Sequence, residues 1–144
     1  MTAKANEILT QLQSNLTAAG FNLVTRRRLG IFEIENSEFN AVIIEEGNDL
    51  VESGGVNGQV TKSRWQLSLK LYVISTLTQS AKEVWYEQAA LICRTIAADR
   101  QLQGCVDSAA IVSKAFNTNI YEPFATGTLD LTIRYRYNDL TQGG

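Results

Sequence analysis

Histidine, the commonest general base and transition-metal ligand near neutral pH, is absent from this 144-residue chain. Serine triads, histidine-paired cysteine nucleophiles and histidine-containing zinc sites are thereby excluded, and Cys93 and Cys105 are too few to hold zinc through thiolates alone. Carboxylates are plentiful. The adjacent Glu45 and Glu46, however, fall on a predicted strand, where successive side chains diverge and are poorly placed to work as a pair. Gly54, Gly55 and Gly58 resemble a phosphate loop only superficially: the spacing is neither the Walker nor the dinucleotide pattern, no lysine–serine pair directly follows the last glycine, and the segment leads into a strand. No cofactor and no metal is expected.

The remaining chemistry is charge. Arg26, Arg27 and Arg28 could grip a phosphate, but three consecutive arginines cannot all face one way, and only Lys62 and Arg64 stand ready to join them. They read as a solvated turn or a contact to a protein partner. An alternative is a histidine-free ligand site in which Glu45 or Asp49 works with the triplet on an anionic substrate; it requires a concave pocket beside those residues. Trp65 and Trp85 are expected to pack against each other in the core, leaving Tyr86 as an aromatic anchor at the surface.

The elements that must position these groups are legible from periodicity. Trp65, Leu67, Leu69, Leu71 and Val73 alternate with Gln66, Ser68 and Lys70; Leu129, Leu131, Ile133, Tyr135 and Tyr137 alternate with Asp130, Thr132, Arg134 and Arg136. Period two in both segments predicts strands of a sheet with one wet face. Between them Ala81, Val84, Trp85, Gln88, Ala89, Ile92 and Ile96 recur at helical spacing, opened by the capping pair Ser80 and Glu83 and closed near Gly104. A first helix carries Ala5, Ile8, Leu9, Leu12, Leu16 and Ala19 on one stripe and stops at Gly20. Ala41 to Ile44 is a continuous apolar run, hence a strand covered on both faces; Leu29 to Glu35 alternates weakly as a further short strand, and Val106 to Phe116 reads as another. The simplest layer solution is an α+β fold: a mixed, mainly antiparallel sheet of about four strands with two helices packed on one face, in the order α-β-β-α-β-β.

Composition agrees with a single domain spanning 1–144, with a flexible loop near 47–62 and a frayed tail near 139–144. Hydrophobic residues at 44% and charged residues at 19% suit a globular chain, and the net charge of −2 offers no general field for nucleic acid, so no specific nucleic-acid binding is expected. No run approaches the roughly 20 apolar residues of a membrane span, and no secretory leader is read at the N-terminus, so both cysteines are expected as free, buried thiols. Charge is nevertheless segregated. From Leu29 to Thr61 there is no lysine or arginine, while Glu33, Glu35, Glu38, Glu45, Glu46, Asp49 and Glu52 all occur. Together with the basic residues Arg26–Arg28, Lys62, Arg64, Arg134 and Arg136, these acids are candidates for a subunit or partner interface in which the acidic span of one copy meets the basic residues of the next.

The N-terminal helix, the acidic strand and glycine-bearing loop, the strand ending in Val-Ile-Ser-Thr, the capped helix, the Asp99-Arg100-Gln101-Leu102-Gln103-Gly104 turn and the closing Thr-Leu-Asp-Leu-Thr-Ile-Arg-Tyr-Arg-Tyr strand occur in that order. So arranged, the chain resembles the tail terminator proteins of long-tailed bacteriophages, whose second helix commonly ends in a D-x-x-L-x-G turn and whose last strand finishes in R-Y. Neck and tail-completion proteins share the pattern. The resemblance implies a homohexameric ring that caps the tail tube, stops its polymerisation and joins the tail to the head connector. It also implies no reaction, assembly in the host cytoplasm, and a place in the virion. The partners it implies are other copies of the chain, the tail tube protein, the connector or stopper protein and, in contractile tails, the sheath; the loop from Asn48 to Lys62 corresponds to the family's long inter-strand loop.

Overall fold

A computed structural model of the chain describes residues 4–27, 29–30, 33–53, 61–117 and 123–137. It is an α+β fold with two helices and a five-stranded sheet. Helix α1 runs Lys4–Ala19 and α2 Ala81–Ala98; the strands are β1 Leu23–Thr25, β2 Ala41–Ser53, β3 Thr61–Ile74, β4 Ser108–Phe116 and β5 Phe124–Tyr137. Their order across the sheet is β1-β2-β3-β5-β4. β1 is parallel to β2, and every other neighbouring pair is antiparallel, so the sheet is mixed and mainly antiparallel.

The alternation of β3 and β5 separates the two faces of this sheet. Trp65, Leu67, Leu69, Leu71 and Val73 join Leu129, Leu131, Ile133 and Tyr135 in one core with Ile8, Leu9, Leu12 and Leu16 of α1 and Val84, Trp85, Ala89, Ile92 and Ile96 of α2. Each fully buried Leu or Ile contributes about 1.5–3 kcal/mol of transfer free energy, and this stripe-on-face arrangement gathers most of them. α2 begins as expected: Ser80 Oγ accepts a hydrogen bond from the Glu83 amide at 3.2 Å. Gly20 takes the left-handed conformation, φ 113°, that ends α1.

Several expectations are corrected. Residues 33–40 form no strand; Asn36–Glu38 is a 3-10 turn, and the fifth strand is Leu23–Thr25 instead, paired with Ala41–Ile43. The opposite face of the sheet is therefore only partly wet. Ile34 and Phe39 fold over Ala41, Ile43 and Tyr72 to make a second small core, with Phe39 stacked on Phe124 at 5.2 Å. The loop expected near 47–62 is narrower at both ends, since β2 continues through Ser53 and β3 starts at Thr61; its centre, 54–60, and the expected tail lie outside the described residues. Helix α2 stops at Ala98, earlier than its apolar pattern predicts, because Asp99–Gly104 is a tight turn with Leu102, Gln103 and Gly104 at positive φ and the Leu102 side chain buried. The tryptophans share the core but not each other's rings: Trp65 lies against Tyr135, and Trp85 against Phe116 and Tyr86. Both thiols are free, as expected, though half-buried and not fully enclosed.

Candidate protein–protein interface

The charged residues singled out in the sequence are positioned by β2, β3 and β5. Because β2 pairs antiparallel with β3, residues opposite each other share a face. Glu45 opposes Ser68 on the face away from the helices and pairs with Lys70 at 3.2 Å. Glu46 opposes Leu67 on the helix face and reaches Arg26 at 4.0 Å. The two adjacent glutamates do diverge, as strand geometry requires.

A bulge follows. Glu46 pairs with Leu67 and Asp49 with Trp65, so Gly47 and Asn48 together oppose Gln66. Glycine is needed there, since a Cβ on Gly47 would lie 2.6 Å from the Gln66 carbonyl oxygen. The bulge returns Asp49 to the helix face, where its carboxylate accepts a hydrogen bond from the buried Tyr135 hydroxyl. Burial, then the hydrogen bond to Asp49, pushes the Tyr135 phenol well above its ordinary pKa, because both disfavour the phenolate.

On the opposite face, the far ends of β3 and β5 set like charges side by side. Lys62 opposes Arg136, and Arg64 opposes Arg134. Directly opposed like charges repel. Glu52 answers Arg134 at 3.5 Å, and Asp107 answers Arg136 at 3.1 Å. Arg64 has no such relief among the described residues: its Nε is buried and has no hydrogen-bond partner. The result is a basic patch of four cations on one end of the sheet.

The structure thus brings Lys62, Arg64, Arg134 and Arg136 together with Glu52, and sets Arg26 beside Glu46 at the other margin. Arg27 is exposed, and Arg28 lies outside the described residues. Among the described residues Glu45, Asp49 and Arg26 do not converge: Glu45 pairs with Lys70 on one face, while on the other Asp49 meets Tyr135 and Arg26 meets Glu46. A hollow of about 330 Å³ on the wet face is lined by Gly47, Asn48, Gln66, Ser68, Asp130 and Thr132 among others, and neither Glu45, Asp49, Arg26 nor Arg27 belongs to it. Among the described residues no group of three or more His, Cys, Asp or Glu side chains is placed to hold a metal ion, and no helix is long and apolar enough to cross a membrane.

Other features escaped the sequence reading. Lys70 and Asp107, the partners of Glu45 and Arg136, carry no signal of pairing in a one-dimensional pattern. Leu50 and Val51 are exposed on the distal part of β2, beyond the reach of β1, and Val112 is exposed on the outermost strand β4; the apolar Leu50-Val51 pair between Asp49 and Glu52 is the one trace of them in the sequence.

No protein family and no curated protein matches the chain. Among solved structures the chain is similar to one described as "Virion of native gene transfer agent (GTA) particle", with 9% identity, 90% of this chain and 92% of that chain covered, and a TM-score of 0.44. A likeness of that degree carries no functional weight.

Proposed function

We propose that this chain is a structural virion protein of the tail terminator type. It would form a ring on the end of the tail tube, stop its growth, and present a docking surface to the head connector. The observation that carries the proposal is the Asp99–Gly104 turn. The D-x-x-L-x-G pattern on which the resemblance rests is built as a specific structure: Asp99 accepts from the Gln103 amide at 3.0 Å, Leu102 is buried, and Gly104 adopts φ 87°. Asp99 also accepts from Asn15 of α1 at 2.9 Å, so the turn locks the two helices to each other as well as ending one of them.

The partners follow from the same proposal. They are further copies of the chain, the tail tube protein and the connector protein, with the basic patch of Lys62, Arg64, Arg134 and Arg136 as the surface offered to an acidic partner. No reaction is assigned.

The test is sedimentation of the purified protein with and without assembled tail tubes, followed by cryo-microscopy of whole particles. Co-sedimentation with tubes, and density for this fold on the final tube ring, are expected. Failure to bind tubes overturns the proposal, and density elsewhere in the neck replaces the terminator role with that of a connector.

A further inference from the structure

Among the described residues two edges of the sheet are open, and they lie on opposite sides of it. β4 is the last strand, with β5 as its only neighbour among the described residues. At the other side β1 covers β2 only at Ala41–Ile43, so among the described residues no strand lies against the outer edge of β2 from Gly47 to Ser53. An open edge presents a row of unpaired amide and carbonyl groups and is a template for another strand.

We propose that the β4 edge of one copy receives the distal part of β2 from the next, so that the sheet continues from subunit to subunit. The proposal deepens the ring reading of the previous section and rests on it for the number of copies, though not for the contact itself. Three observations favour a second copy as the occupant. First, β2, β3, β5 and β4 alternate in direction, so a neighbour in the same orientation brings its β2 antiparallel to β4, and a regular ladder results without inverting either subunit.

Second, the apolar surfaces match. Between α2 and β4 lies a mostly apolar hollow of about 350 Å³, lined by Cys93, Ile96, Ala97, Ala109 and Ile111. It opens on the helix face. Val51, 61% exposed, opposes Ser63 and so points to the helix face of β2, while Leu50, 45% exposed, points to the other. Since a sheet keeps its faces across a seam, Val51 of one copy enters the hollow of the next and Leu50 lies against the far side of β4, where bulged Val112 is 63% exposed.

Third, the charges complement. The hollow is flanked by Arg100 and Lys114, neither of which has an ion-pair partner among the described residues. The incoming segment brings Asp49 on that same helix face and carries no base, while Glu52 stays on the other face with Arg134. Opposite edges of one sheet make a head-to-tail contact, which closes into a ring when the rotation per copy permits.

The seam is tested on the purified protein. In sedimentation velocity the wild-type chain is expected to form species larger than a monomer, and Val51→Lys and Val112→Lys, both at exposed positions, should each weaken association at least tenfold while leaving circular dichroism unchanged. In a Cys93→Ser, Cys105→Ser background, a Leu50→Cys chain mixed with an Ala110→Cys chain should oxidise to the mixed dimer. A wild-type chain that stays monomeric, lysine variants that associate normally, or Leu50→Cys chains that link to themselves, overturn the seam. None of these results depends on tube binding, so the seam and the tail role fail separately.

Discussion

Gly127 of β5 is the floor on which the Trp85 indole of α2 rests. A Cβ at that glycine would lie 2.3 Å from Trp85 Cζ2 and 2.6 Å from the Ala115 carbonyl oxygen, so the absence of a side chain is what lets helix and sheet approach. The same indole donates its Nε1 hydrogen to the Leu71 carbonyl at 3.2 Å, which fixes the ring over the sheet.

Gly127→Ala is therefore expected to lower stability by about 1–3 kcal/mol, the usual cost of forcing a methyl into a filled core. Urea unfolding measures it as a lower midpoint at constant slope. Because the clash is with the indole's six-membered ring, the same change should cost less in a Trp85→Phe background. An equal cost in both backgrounds would show that Trp85 is not what Gly127 accommodates.

Asp99 is the acid whose titration should be visible in stability. Hydrogen bonds from the Gln103 amide and from the Asn15 side chain favour its carboxylate and lower its pKa below 3.8. A group whose folded pKa is depressed contributes its stability above the unfolded value and loses it as pH falls through the folded one. Asp99→Ala should thus cost about 1 kcal/mol at pH 7. The gap to the wild type should then close as the pH drops below 3.8. A gap that persists unchanged in acid would remove the ionised carboxylate from the account.

Tyr135 makes the complementary prediction at alkaline pH. Its folded pKa is raised above the ordinary 10.0 by burial and by Asp49, so its contribution is complete below pH 10 and declines as pH rises beyond it. Ultraviolet titration should reveal a phenol that ionises only as the protein unfolds, and Tyr135→Phe should abolish that late component. Loss of the hydroxyl should also cost about 0.5–1.5 kcal/mol at neutral pH, since the Asp49 carboxylate loses its donor. A late component that survives in the variant would assign it to another tyrosine.

Much of the fold was legible in the chain itself. The two faces of β3 and β5, the buried stripes of both helices, the Ser80 cap and the Gly20 stop depend on residues within a few positions of one another, where side-chain chemistry and backbone period act directly. The end of α2 is not legible in the same way, because Leu102 continues the apolar pattern of the helix while its backbone has already turned to φ 45°. Burial in the core outweighs the local cost of that conformation.

The charged residues show the same division. Their segregation, acids from Leu29 to Thr61 and bases on either side, is a property of the sequence. Which of them meet is not. β1 pairs with β2 across more than a dozen residues, the bulge at Gly47-Asn48 turns Asp49 toward Tyr135, and β5 brings Arg134 beside Arg64 over a sequence distance no period encodes. An alternating pattern states which face a side chain occupies and is silent on which strand lies next to it, because every strand with the same alternation satisfies it equally. The residue pattern by itself determined the elements and their inner faces; strand order, the register of each pair and the basic patch were decided by long-range pairing, where burial of the common core selects one set of neighbours.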